Sequence, residues 1–326
     1  MSLIHVVRMD THGGPEVLKL VQTERQGPAP GEVGIRQTAI GFNYIDVYQR
    51  KGIYPMPLPT GLGHEAVGVV ERIGEGVAGL GRGDRVGYIT AGPGAYADYR
   101  NVPASRLVRI PAGVSDEAAA ALLFKGLTAQ YLLRRTHRVG PGDLILVHAA
   151  AGGVGQILCR WATALGAAVI GAVGTAAKRP AAFDAGCAEV IVTDGPDWPE
   201  RFVAAAGGRK ARVVYDSVGR DTFLGSLDCA EPFGLVVLFG AASGPAPAIE
   251  PELLNRKGCL FLTRPSLFPH NADTAVLRAN ADELFDAIAA GHVRATIGAR
   301  VALGDVAKVH AAAESRATTG ATILVP

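Results

Sequence analysis

Residues Leu144-Ile145-Leu146-Val147-His148 form a short apolar run that ends on Ala149-Ala150-Ala151-Gly152-Gly153-Val154-Gly155. The segment Gln156-Ile157-Leu158-Cys159-Arg160-Trp161-Ala162 then continues with the character of a helix. Strand, glycine-rich turn and helix in that order make the phosphate cradle of a dinucleotide-binding βαβ unit. Glycines let the backbone approach a pyrophosphate, and the helix start offers unpaired N–H groups and a partial positive charge. In the spacing G-x-G-x-x-G, Gly152 and Gly155 fill the second and third places and Ala150 the first. Ala fits there only with a negative φ. Gly152, Gly153 and Val154 are therefore expected to contact the pyrophosphate of a dinucleotide.

A second strand, Ala168-Val169-Ile170-Gly171-Ala172-Val173, follows one helix later, as a right-handed crossover requires. An NAD site usually carries Asp or Glu about 20 residues beyond the glycines. Here that place reads Gly174-Thr175-Ala176-Ala177-Lys178-Arg179, with no carboxylate, a hydroxyl and two cations. An acid would repel a 2′-phosphate, Lys178 can pair with one, and Thr175 can donate to it. The expectation is NADPH rather than NADH, with Gly174, Thr175 and Lys178 around the adenosine ribose phosphate.

These residues need a scaffold. At 326 residues the chain exceeds one ordinary domain. Residues 1 to about 125 hold short strands, Val33–Ile40 and Ala66–Ile73, punctuated by Gly and Pro, which suggests a distorted barrel or sandwich. Asp116–Leu133 reads as a helix interrupted by Gly126, with Ser115 as N-cap. From Gly140 strands alternate with helices. Val190–Val192, Val213–Ser217, Leu235–Gly240 and Gly258–Thr263 complete six strands of a doubly wound sheet. Ser217, Phe239, Gly240 and Ser243, at the strand ends, are expected to approach the nicotinamide half. A helix, Asp282–Ala290, and strands Thr296–Val301 and Thr322–Val325 are expected to rejoin the first domain. The expected division is 1–125 with 265–326, and 126–264.

Composition excludes several classes. A net charge of +2 gives no general attraction to nucleic acid or anionic membrane. No apolar run approaches a membrane span, and Met1–Leu20 has no signal-peptide core. Cys159, Cys187, Cys229 and Cys259 lie far apart with no C-x-x-C pair, so they are expected to be reduced, interior residues of a cytoplasmic protein.

Several segments bring the chain closer to a known group. Gly41-Phe42-Asn43-Tyr44-Ile45-Asp46, Gly61-Leu62-Gly63-His64-Glu65-Ala66-Val67-Gly68 and Lys125-Gly126-Leu127-Thr128-Ala129 resemble the medium-chain dehydrogenase/reductase superfamily. Tyr215-Asp216-Ser217-Val218-Gly219, Thr263-Arg264-Pro265-Ser266 and Glu314-Ser315-Arg316-Ala317-Thr318-Thr319-Gly320 are similar to its zinc-free, ζ-crystallin-like NADPH:quinone oxidoreductases. The resemblance covers essentially the whole chain. It implies a GroES-like distorted β-barrel domain beside a Rossmann domain, and a quinone bound in the cleft between them. It implies Asn43, Tyr48, Tyr54 and Arg264 as cleft residues that act on the substrate. It also places Asn43, Lys125, Thr128, Arg264 and Arg316 on the cofactor. Two departures stand out. Thr193 occupies a place where many relatives stack a Tyr, and His64 is present where this branch often lacks it.

Zinc relatives carry Cys where this chain has Asn43, and another near Lys125. Asn is a poor zinc ligand and a lysine would repel Zn²⁺, so no metal is expected. Quinone reduction does not require one, because the hydroquinone anion is delocalised. Protein donors need only orient the ring and stabilise a developing oxyanion. Two other readings stay open at this stage: a reductase of enones or alkenals, and an NADPH-binding protein of low turnover, RNA binding included. The apolar edge Cys259–Leu262 suggests a homodimer in which two sheets pair across a two-fold axis.

Overall fold

The computed structural model describes residues 2–315 and 318–326. The chain divides into two compact units, Met1–Leu127 with His270–Ala289 and Arg294–Pro326, and Thr128–Pro269 with Ala290–Val293.

In the second unit, apolar runs such as Leu144-Ile145-Leu146-Val147 are buried on both faces, the signature of a parallel strand covered by helices. Six strands run in the order Glu189–Val192, Ala168–Val173, Leu144–His148, Ala211–Asp216, Ala230–Leu238, Phe261–Thr263. All pairings are parallel. This is the doubly wound order, and the direction of winding reverses between Leu144–His148 and Ala211–Asp216. Leu146, Ile170, Phe202, Val214 and Val236 lie at the centre of its core.

The first unit is built on Glu32–Gly41. It pairs antiparallel with Glu65–Ile73, with Tyr99–Pro103 and with the C-terminal strand Ala321–Val325, where Ile323 stands opposite Gly41. Ile297–Ala302, Arg85–Tyr88 and Val108–Arg109 extend this to a seven-stranded sheet. Lys19–Glu24, Leu3–Met9 and Thr60–Gly61 form a smaller one. Val33, Ile35, Ile40, Val70, Val86 and Leu324 fill the core.

Helix Asp116–Tyr131 starts with Ser115 Oγ accepting from the Ala118 N–H at 3.2 Å, the capping expected of a serine at that place. Gly126, which interrupts its pattern, is explained by packing: a Cβ there would meet Leu284 of helix Thr274–Ala289 at 2.6 Å. The helix ends two residues before the sequence boundary and passes into a π-helical turn, Leu132–Thr136. Tyr215 donates its hydroxyl to the Leu132 carbonyl at 3.0 Å there.

Three local readings change, and the negative φ required of Ala150 holds. The helix expected over Asp282–Ala290 begins at Thr274, because Leu277 and Asn280 already face the core. The sixth strand keeps only Phe261–Thr263, since Gly258 (φ 115) and Cys259 (φ 55) turn the chain before it. Cys259 is exposed, not interior, whereas Cys159, Cys187 and Cys229 are buried. In the glycine-rich turn the left-handed residue is Ala149 (φ 50), one place before Ala150. A non-glycine residue held there carries strain of roughly 1–3 kcal/mol.

That turn is closed by the Gly152 N–H donating to the Ala149 carbonyl at 2.8 Å. A Cβ at Gly155 would collide with the same carbonyl oxygen and stand 2.8 Å from Ala150 Cα. Both neighbours are backbone and cannot yield. Gly155→Ala should therefore cost about 1–3 kcal/mol in urea unfolding. Gly174→Ala, which points its Cβ into open space, should stay within about 0.5 kcal/mol.

Candidate active site

In the first unit the chain leaves strand Glu32–Gly41 and enters helix Tyr44–Arg50 through Asn43. Asn43 is extended (φ −130, ψ 148) and takes the N-cap place. The carboxylate of Asp46 reaches back to its N–H at 3.0 Å, one half of a capping box. The Asn43 side chain has partners beyond this cap. Its Nδ2 donates to Glu65 Oε2 at 2.9 Å, and its Oδ1 accepts from Lys125 Nζ at 2.9 Å. A lysine only donates and a carboxylate accepts, so the two neighbours fix which end of the amide faces which.

Lys125 Nζ also donates to the Phe42 carbonyl at 2.9 Å and lies 3.6 Å from Glu65 Oε2. Glu65 is fully buried and takes the Phe124 N–H at 2.6 Å. Gly41 is glycine because the Glu65 carboxylate and the Ala120 carbonyl fill the space a side chain would need. Burial pushes the Glu65 pKa up, and Lys125 pulls it back. The result is one ammonium, 6% exposed, held among a carbonyl, an amide oxygen and a carboxylate. Such a charge is pre-oriented and needs no reorganisation to stabilise an oxyanion.

Asp46 is also fully buried, and burial raises it to about 7 against the N–H of Asn43 and the hydroxyl of Tyr96, which lower it. Tyr96 donates to Asp46 Oδ2 at 2.8 Å, and its oxygen lies 3.3 Å from His310 Nε2. His64 lies 2.9 Å through Nε2 from Gln49 Oε1, so that nitrogen carries the proton. Burial lowers His64 to about 4, which keeps the ring neutral. Among the described residues no group of three His, Cys, Asp or Glu side chains is placed to hold a metal ion.

Tyr48 is buried and Tyr54 is about one-third exposed. Their rings meet edge-on at 5.1 Å, and Tyr44 meets Tyr48 at the same distance. Tyr44 was not singled out from the sequence, although a tyrosine four residues before Tyr48 lies on the same helix face. The sequence motif suggests Asp46 only as a structural hydrogen-bond acceptor, which it is toward the Asn43 N–H and the Tyr96 hydroxyl, and it assigns Glu65 no role. Nothing in the sequence shows that either is buried.

In the second unit Gly152 caps helix Gly153–Ala164, whose first-turn N–H groups at Gly153 and Val154 have no helical carbonyl to bond. Gly174 and Thr175 are exposed at the end of Ala168–Val173, with Lys178 half-buried close by. Thr193 Oγ1 turns back to the Val173 carbonyl at 3.4 Å. Ser217, Phe239 and Gly240 lie at adjacent strand ends, with the Phe239 N–H on the Asp216 carbonyl at 2.8 Å. The Ser243 hydroxyl is committed within this loop pair. It donates to the Val218 carbonyl at 2.8 Å and accepts the Asp221 N–H at 3.0 Å. Arg264 donates to the Leu238 carbonyl at 3.0 Å. Thr128 is buried in this unit. Asn43, Lys125, Tyr48 and Tyr54 belong to the first unit, Arg264 to the second, and Arg316 lies outside the described residues.

Comparison with known proteins places this geometry. Residues 29–112 match the family described as alcohol dehydrogenase GroES-like domain, and residues 153–272 the family described as zinc-binding dehydrogenase. The chain is 46% identical over 323 residues to quinone oxidoreductase 1 of Escherichia coli strain K12, covering 98% of this chain and 99% of that one. The crystal structure of Escherichia coli quinone oxidoreductase complexed with NADPH superimposes with a TM-score of 0.96 at 45% identity, over 99% of this chain and 100% of that one. A 2-haloacrylate reductase of Burkholderia is 40% identical over 322 residues, 96% of each chain.

Two outcomes follow from the buried charges. Lys125→Met strands Glu65 and should cost about 3–5 kcal/mol in denaturant unfolding, while Lys125→Met with Glu65→Leu should recover most of it. Additive losses would show that the pair does not interact. For Asp46, an unfolded aspartate releases its proton near pH 4 and the folded chain near 7. The folded state thus holds the extra proton between these values. The stability it contributes is complete below about 4 and lost as pH rises through 7. Relative to Asp46→Asn, the wild type should lose on the order of 2–4 kcal/mol of unfolding free energy between pH 4.5 and 8. His64 and His310 titrate in both proteins and cancel in this difference. Parallel pH curves would refute the assignment.

Proposed function

From a chain that belongs to the quinone oxidoreductases of the medium-chain dehydrogenase/reductase superfamily, we propose an enzyme that reduces a quinone with NADPH, without a metal ion. The observation that carries this reading is the cofactor cradle. The glycine-rich turn brings bare backbone and the start of a helix to one place, with open space at Gly174 and no carboxylate among Gly174–Arg179. These residues fit an NADP-type dinucleotide: Gly152, Gly153 and Val154 on the pyrophosphate, Thr175 and Lys178 on the 2′-phosphate. Arg264, whose guanidinium sits beside the strand end at Leu238, is assigned to the cofactor or a quinone oxygen.

NADPH supplies a hydride when bound. The chain's own residues do the rest. Tyr48 and Tyr54 offer ring faces that suit a flat aromatic acceptor, and each carries a phenol donor. Lys125, oriented by Asn43 and Glu65, supplies fixed positive charge for an oxygen that gains negative charge. The donor set favours the metal-free reading, because Asn43 already bridges an ammonium to Glu65 and a divalent cation would have to displace Lys125.

The likeness to a 2-haloacrylate reductase supports one competing acceptor, an activated C=C bond. Three buried thiols support a cytoplasmic protein, and a net charge of +2 gives no general attraction to nucleic acid; no described helix is long and apolar enough to cross a membrane. We also assign a homodimer through the sheet edge. Phe261 on the edge strand is 61% exposed and Phe233 on the neighbouring strand 62%, apolar surface that a second copy of this edge would cover.

Initial rates of NADPH and NADH oxidation with 1,4-benzoquinone, 1,2-naphthoquinone and an enone should show fast, chelator-insensitive turnover of the quinones with NADPH preferred. Lys178→Ala should raise the NADPH KM about tenfold and leave the quinone KM within about twofold, since a charge-assisted contact is worth roughly 1.5–3 kcal/mol. Enone preference would replace the substrate class, and equal use of both cofactors would sink the assignment of Lys178. For the edge, Phe261→Asp should turn the dimer into a monomer in light scattering. A monomeric wild type would overturn the dimer.

A further inference from the structure

His148 ends Leu144–His148 and Asp216 ends Ala211–Asp216, the neighbouring strands on either side of the winding reversal. Ligands of such sheets bind outside these ends. Beneath that crevice the two side chains are linked. The Asp216 carboxylate is fully buried and accepts from the Val218 N–H at 2.8 Å, the Gly219 N–H at 3.0 Å and the Thr222 hydroxyl at 2.8 Å. Its Oδ2 also takes the Ser226 hydroxyl at 2.8 Å, and Ser226 Oγ lies 3.0 Å from His148 Nε2.

The direction of this chain follows from its end. A carboxylate accepts, so the Ser226 proton goes to Asp216 and Ser226 Oγ is left to accept from His148 Nε2–H. Burial disfavours a charged His148, and the ring stands edge-on to Trp198 at 5.0 Å. Each end of the link governs a different half of the cofactor cradle. His148 immediately precedes Ala149, whose left-handed conformation opens the pyrophosphate turn. Asp216 dictates Ser217–Gly219. Gly219 is left-handed (φ 89), and a Cβ on it would stand 2.5 Å from the Gly244 carbonyl.

We propose that His148, Ser226 and Asp216 form a positioning relay, which holds the loop Ser217–Gly219 at a fixed offset from the glycine-rich turn and thereby orients the nicotinamide half of the cofactor. None of the three touches the reacting atoms. The proposal rests on the NADPH reading above and deepens it.

Ser226→Ala breaks the relay and leaves the other donors to Asp216 in place; Asp216→Asn also perturbs the loop. Each is compared with wild type in binding 2′,5′-ADP, which occupies only the adenosine end, and NADPH. Hydride transfer is followed by mass spectrometry of the NADP+ formed, with NADPH deuterated at one face of C4 and, separately, at the other. The expected result is a Kd for 2′,5′-ADP within about twofold of wild type, with kcat down about tenfold and deuterium transferred from both faces, as the loss of one charge-assisted hydrogen bond implies. NADPH should bind less tightly than 2′,5′-ADP predicts. Equal weakening of both ligands, or no change in either with one face still used, overturns the relay. A wild type that binds NADPH and reduces no acceptor refutes the quinone reading alone, because the binding comparison still decides the relay. If Asp216→Asn does not fold, Ser226→Ala decides.

Discussion

A carboxylate in a protein interior must be given partners, and Glu65 is as buried as any core leucine. Most of the geometry in the first unit follows from meeting that demand. Lys125 supplies the opposing charge, Asn43 supplies an amide hydrogen, and the Phe124 N–H supplies a third donor. The amide of Asn43 is then held between a donor and an acceptor, so it has one orientation. The backbone at Gly41 must pass without a side chain. The end of one strand, the start of one helix and the middle of another are thus fixed relative to each other by a single buried charge. The Lys125 ammonium that results is a rigidly held cationic donor, which a solvent-exposed lysine on a flexible stem would not be.

The second unit solves a different problem with the same logic. Its ligand surface is backbone, so the chain must be kept in conformations that leave N–H groups facing outward. Glycine permits such conformations but does not enforce them. Enforcement comes from below. The Asp216 carboxylate collects the N–H groups of Val218 and Gly219, and the Ala149 carbonyl closes the turn before Gly152. Buried polar networks that are fully satisfied specify one arrangement, and the one around Asp216 reaches His148 on the neighbouring strand end.

Much of this was legible beforehand. The six strands of the parallel sheet, the glycine-rich turn and the helix beginning at Asp116 come from local patterns: continuous β-branched runs, a cap serine, glycines at fixed offsets. The missed elements are those whose pattern is not periodic. Tyr44–Arg50 is short, and its Asp46, Gln49 and Arg50 look solvent-facing but are buried. The sixth strand is shorter than its apolar run because of a positive φ at Cys259, which a cysteine does not signal. Ala149 escaped notice for the same reason: alanine is not the residue that announces a left-handed turn.

The sequence by itself determined the fold class, the glycine-rich turn between strand and helix, and the phosphorylated cofactor. Each depends on residues close together in the chain, where spacing alone sets geometry. Tertiary structure decided which polar residues lie inside. Asn43, Glu65 and Lys125 are separated by tens of residues, as is His148 from Asp216 and Ser226, and no local rule joins them. Their roles arise from burial, which removes water as the alternative partner and leaves each donor with only the acceptors the fold brings to it.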